Sequence, residues 1–347
     1  MAICRRFLAV LVWAAVGFQA ESAQASCGTA ECPLDLSSLG DLGSGRPHWT
    51  SRFSVGTAWE YIAQDQPRHG REKVPFGQVA RPDHDEIETI NRNLRFWLDF
   101  DLSEHWDLQL AAPLINRSHS HLAAAGHAHA GAGHDHGDAG LTSWNFTRLG
   151  DLRLEVGYAP LAPRQSGPWL RFGLGLAAPT GSTGVRNKDG HLAEPSLQPG
   201  RGAWSVSFET EVGWQPAALQ GARFFASGLY RHNFAGKRGY QFGDEAQVHT
   251  GGQYPLWRRL DLLLQLSARL SGRDGAGRTG ELVDATGGRA VFLSPGLRLA
   301  LLDGLGVYAY YQLPFYQRVN QVQLSADRNV LVGLNYRINL FGDWIKN

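Results

Sequence analysis

Past residue 25 the sequence has no apolar run near the ~20 residues that carry a helix across a bilayer. That excludes a helical membrane span in the body of the chain. Charge of either sign is not in excess: Lys+Arg number 33 and Asp+Glu 32, so a basic surface for nucleic acid is missing. Neither a GxSxG elbow nor a GKS/GKT phosphate loop occurs, and the glycine-rich stretch Gly272–Gly280 reads as an exposed loop. Methionine appears once and cysteine three times. Cys4 sits in the N-terminal segment, which leaves Cys27 and Cys32 in SCGTAECPLD, too few for a thiolate metal cage; a local disulfide is the expectation.

What the sequence holds instead is glycine and aromatic residues: 42 glycines, 11 tryptophans and 10 tyrosines, a composition suited to strands. Residues 1–25 read as an export signal, with Arg5 and Arg6, the apolar run Phe7 to Phe18, and the small-x-small site Ala23-Gln24-Ala25. Residues 26–50 carry Gly, Ser and Pro with little periodicity and read as a periplasmic leader or a plug segment.

From residue 51 to 341 the pattern is alternation. In NVLVGLNYRINLF, Val330, Val332, Leu334, Tyr336, Ile338 and Leu340 share one parity, and Leu331, Gly333, Asn335, Arg337 and Asn339 the other. Successive strand side chains point to opposite faces, so such a segment is apolar on one side and polar on the other. The same reading holds at Leu94–Asp101, where Trp97 breaks the rule, at Trp106–Ala112, and through Leu152–Tyr158, Trp169–Ala178 and Trp204–Trp214. Twelve strands result, joined by connections that alternate short and long. The long ones are expected at Gln64–Glu86, Asn116–Ser143, Pro179–Gly200, Asn233–Asp244, Ser271–Gly288 and Tyr316–Arg328. This rhythm predicts an all-β fold, an antiparallel up-and-down transmembrane β-barrel of about 12 strands in a bacterial outer membrane. A soluble β-sandwich alternates too, but its strands usually run about 5–6 residues, shorter than those read here. Trp106, Tyr158, Trp169, Trp204, Trp214, Tyr254 and Trp257 fall near strand ends, as interfacial girdles require. Residues 342–347 form a tail beyond the last strand.

GDLRLEVGY at Gly150–Tyr158, GLGLAAPTG at Gly173–Gly181, SPGLRLAL at Ser294–Leu301, YYQLPFYQRVN at Tyr310–Asn320 and LVGLNYRI at Leu331–Ile338 follow one another in the order of a known family. The chain resembles the outer-membrane transporter-like barrels known by the phrase "meta-pathway of phenol degradation". The resemblance spans Phe53 to Phe341 and implies an outer-membrane barrel that passes small molecules; it brings no catalytic residues with it. The long histidine loop and the GDWIKN tail depart from that pattern.

Two constellations could carry function. Within the expected external loop 116–143, His119, His121, His127, His129, His134 and His136 form three HxH pairs, with Asp135 inside the last. Neutral imidazoles on a Gly/Ala-rich loop suit Zn, Cu, Ni or Co, although such a tract also binds metal adventitiously. The second constellation is the polar parity, expected to line the lumen: Arg95, Asp99, Arg153, Glu155, Arg171, Glu209, Glu211, Asp261, Arg269, Arg298 and Arg337. Such residues hold water in a pore or, as salt bridges, fill a rigid closed barrel; the residues alone leave both readings open. The function expected is a channel for a small solute in contact with outer-membrane lipid, with metal association through the histidines. No resident cofactor is required. The alternatives are a non-transporting metal-binding or structural barrel and an outer-membrane hydrolase.

Overall fold

The computed structural model describes residues 53–77, 84–123, 140–161, 166–236, 239–276 and 281–338. The export signal, the 26–50 leader, the Cys27–Cys32 pair and the 342–347 tail fall outside the described residues.

Twelve long strands form one antiparallel sheet: β1 Phe53–His69, β2 His84–Asp101, β3 Trp106–Ala123, β4 in two segments (Leu141–Leu149 and Leu152–Leu161), β5 Gly167–Ala178 and β6 Ser205–Gln215. The second half is β7 Arg223–Asn233, β8 Glu245–Trp257, β9 Leu260–Ser271, β10 Gly288–Leu302, β11 Leu305–Val319 and β12 Val322–Ile338. Each strand pairs with its sequence neighbours, and β12 returns to β1, from Phe53 opposite Ile338 up to His69 opposite Val322. That last ladder closes the sheet and removes its edges.

The outer face follows the apolar parity. Leu174, Leu176, Phe208, Leu262, Leu264, Leu297, Val332 and Leu334 are exposed there, and Phe315 is 79% exposed. Soluble monomers seldom expose contiguous apolar patches beyond a few hundred Å²; a belt round a closed barrel is a lipid-facing surface. The protein is therefore a transmembrane barrel. At the short-turn end Trp106 packs on Tyr158 with ring centroids 4.8 Å apart and planes tilted by 39°, and Trp257 is 77% exposed, as an interfacial belt requires.

Three expectations need correction. The connection placed at Asn116–Ser143 begins later: β3 runs on to Ala123 and pairs with the first segment of β4, Asn116 opposite Thr147 and Leu122 opposite Leu141. The connection placed at Tyr316–Arg328 is a turn at 320–321, where Gln321 takes a left-handed φ of 49°. In both places the strand rises past the lipid, so its outward residues turn polar while the backbone stays extended. Apolar periodicity stops at the bilayer edge; strand geometry does not. Trp169 is not a girdle residue either, because it shares the inward parity of Arg171 and donates from Nε1 to Glu211 at 2.6 Å.

Candidate functional site: the barrel lumen

The inward parity divides the lumen into two unlike halves. Along β11, β12, β1 and β2 an apolar cluster stands among buried polar side chains such as Glu60, Asn93, Gln312 and Asn329: Tyr308, Tyr310, Leu331, Ala58, Ile62 and Trp97, joined by Leu263 of β9. Trp97, which broke the alternation in the sequence, belongs to this inner wall. Its ring lies over Gly56 of β1, and that of Tyr308 over Gly333 of β12, so closely that a Cβ at either glycine would overlap the ring. Glycine is required there by close approach.

Along β2 to β9 the lumen is polar and hollow. A cavity of about 170 Å³ is lined by Arg95, Arg153, Arg231 and Arg269, by Glu155, Glu209 and Glu245, and by Gln109, Ser207 and His249. Buried charges are tolerable only when paired, and these are. Arg95 meets the fully buried Glu60 at 2.7 Å. Arg171 bridges Asp107 at 2.6 Å and Glu155 at 2.8 Å. Glu245, 3% exposed, faces Arg201 at 2.9 Å, Arg269 at 3.3 Å and Arg231 at 3.6 Å. Toward the short-turn end Arg298 pairs with Asp261, its directly opposed neighbour, at 2.6 Å.

Of the residues expected in the lumen, Arg95, Arg153, Glu155, Glu209 and Arg269 line this cavity. Asp99 accepts hydrogen bonds from Gln109 (2.7 Å) and Ser54 (3.0 Å), while Arg171, Glu211, Asp261 and Arg298 form the cross-strand pairs just described. Arg337 shares the inward parity of Asn335 at the short-turn end of β12. Sequence reasoning missed Glu60, Asp107, Arg231, Glu245 and Arg201. Glu60 carried a signal, as a charge of inward parity between Ala58 and Ile62. Arg231 and Glu245 sit on β7 and β8, where Gly228, Gly251 and Gly252 interrupt the apolar alternation.

Arg201 was hidden for another reason: it lies in a connection, 179–204, that folds into the mouth of the barrel. Val185, Ala193 and Leu197 of this connection pack on the inward Ile115, Trp144 and Phe146. Arg117, 2% exposed, donates to Asn91 Oδ1 at 2.7 Å and to the Ser196 carbonyl at 2.9 Å, and Trp144 Nε1 donates to the His191 carbonyl at 3.1 Å. Asp151, at the break between the two segments of β4, accepts the N–H groups of Gly181 and Arg201, each at 2.8 Å. One carboxylate thus holds both ends of the loop. The Arg201 guanidinium then reaches Asn233 Oδ1 at 2.6 Å and Glu245 Oε1 at 2.9 Å, over the ring of Phe242.

The neighbouring connections are fastened to each other by Tyr240, which donates to Asp274 Oδ2 at 2.5 Å, with Gly243 N–H on the other oxygen at 2.8 Å. Burial holds the Asp274 carboxyl above the ordinary carboxylate range; burial and the adjacent Asp274 raise the Tyr240 phenol.

The histidines divide between wall and loop. His119 and His121 stand on β3 facing inward: Nδ1 of His119 is 2.8 Å from Thr89 Oγ1, and both rings pack on Trp144, with centroids at 5.7 and 5.0 Å. His127, His129, His134, Asp135 and His136 lie outside the described residues. Among the described residues no group of three or more His, Cys, Asp or Glu side chains is placed to hold a metal.

Residues 88–327 match the model of a family described as "Putative MetA-pathway of phenol degradation". No curated protein matches the sequence. Among solved structures the fold is similar to the COG4313 outer membrane channel from Pseudomonas putida F1, at 12% identity and a TM-score of 0.56, covering 84% of this chain and 97% of that one. A weaker likeness, to the NanC porin, has 9% identity and a TM-score of 0.44 over 82% of this chain and 100% of that one.

Proposed function

Because the chain belongs to the Putative MetA-pathway of phenol degradation family, we propose that it passes small solutes across the outer membrane through the polar half of its lumen. One observation carries this reading: a closed barrel holds a cavity of about 170 Å³ whose wall bears seven charged side chains of both signs. The charge pairs leave this space open rather than filling it, and mixed charges around an open space hold water and bias what passes. The similar solved barrel is itself described as a channel, which supports the proposal. A hydrolase built on the inward His249 and Ser267 is disfavoured by their burial. His249 Nδ1 lies 3.0 Å from Ser267 Oγ, but Ser267 has no exposed surface, so no substrate reaches it.

Single-channel recording of the protein in planar bilayers tests the proposal. Discrete current steps are expected; a silent membrane across all salts, solutes and metals would overturn it.

The spacing of the histidines supports a second role beside transport. Three HxH pairs in 18 residues, His119 to His136, are a donor set suited to Zn, Cu, Ni or Co. With His119 and His121 engaged in the barrel wall, capture of a metal ion falls to His127, His129, His134, Asp135 and His136.

A further inference from the structure

We infer that Arg201 is a selectivity-determining residue of this channel, and that its guanidinium also holds the 179–204 connection in the mouth. The inference rests on the channel reading above. Arg201 is fixed at both ends of the residue: its backbone N–H donates to Asp151 at 2.8 Å, and its side chain spans Asn233 at 2.6 Å and Glu245 at 2.9 Å. Glu245 is a cavity-lining residue, and it also meets Arg269 and Arg231, which line the same cavity. Three guanidiniums therefore converge on one carboxylate, a local group of charge +2 (three cations less one anion). One of the three is delivered by the loop rather than by the wall.

That origin gives Arg201 two separable effects. As a fixed positive charge 2.9 Å from the cavity-lining Glu245 it shifts the potential of the cavity in favour of anions over cations. As a planar fork with two acceptors it fastens the loop, which a lysine cannot do with the same geometry. Glu155, Glu209, Arg95 and Arg153 face the same space and stay constant in any Arg201 variant, so differences report on Arg201 itself.

The experiment compares wild type with Arg201→Lys, Arg201→Gln and Arg201→Glu in planar bilayers under a KCl gradient, reading reversal potential and unitary conductance. Amide exchange at Gly181 and over residues 193–198 is followed in parallel. The chloride-to-potassium permeability ratio should fall about sixfold per unit of charge removed, because a charge about 8 Å away across water shifts anion and cation by about 2.4-fold each, in opposite directions. The order is then wild type above Arg201→Gln above Arg201→Glu. Arg201→Lys should keep the ratio while raising conductance and speeding exchange in the loop. Should Arg201→Glu fail to fold into a barrel, the near-isosteric Gln variant carries the charge arm. A wild-type ratio and conductance in both Gln and Lys variants would refute the assignment while leaving the channel intact. A wild type that conducts nothing would take down the channel reading and this inference together.

Discussion

Gly333 of β12 stands directly opposite Tyr308 of β11, and the hydroxyl end of the tyrosine ring occupies the space where a Cβ would be. The ring is 4% exposed and packs against Tyr310, so it has nowhere to retreat. Gly333→Ala should therefore cost about 1–3 kcal/mol of barrel stability through overpacking. The loss should be largely recovered by adding Tyr308→Leu, which vacates the space. Urea midpoints of the barrel in lipid vesicles measure both; an Ala variant as stable as wild type would show that the ring moves freely.

Glu60 has no exposed surface, and Arg95 reaches it from the cavity side with 19% of its side chain exposed. Glu60→Gln leaves Arg95 without this carboxylate, next to Trp97 and the apolar cluster. Because Arg95 keeps contact with the cavity water, the expected cost stays near the lower part of the range for a broken buried charge pair, roughly 2–3 kcal/mol. The same substitution in an Arg95→Met background should cost much less. Equal costs in the two backgrounds would mean that Glu60 is held by something other than Arg95.

Leu197, 4% exposed, plugs the 179–204 connection onto Ile115, Trp144 and Phe146. Leu197→Ala should loosen that connection by about 2–3 kcal/mol, the lower end for a buried leucine because an open mouth relaxes around the gap. The barrel itself should hold. Amide exchange should accelerate between residues 185 and 198 with the urea midpoint unchanged; a drop in the midpoint would make the loop part of the barrel's core.

Isothermal titration with Zn²⁺ and Cu²⁺ separates wall from loop. The double variant His119→Ala/His121→Ala should bind metal as wild type does, whereas deletion of residues 124–139 should abolish binding. Unchanged binding after the deletion would remove the loop as the metal site.

Much of the barrel was legible because one rule governs most of it. Val332, Leu334 and Tyr336 face lipid while Gly333, Asn335 and Arg337 face inward, as their parity requires. The rule fails where the two sides of a strand meet similar surroundings. At Trp97 and Leu263 both faces are apolar, one toward lipid and one toward the inner cluster. At Asn116–His121 both faces are polar, so an extended strand looks like a loop. Arg201 was invisible for a third reason: an inward-folded connection has no period, and its position depends on partners such as Asp151 and Glu245, 50 and 44 residues away.

The pairing of Phe53 with Ile338 spans 285 positions of sequence (338 less 53). The first strand is made early and its partner last, so the hydrogen-bonding groups that β12 will satisfy stay vacant until the chain is nearly finished. Bringing together ends so far apart is slow, and an open strand edge invites pairing with the wrong chain. The other ladders join sequence neighbours and can form locally, so the one edge that must be shielded in transit is the one the closing ladder seals.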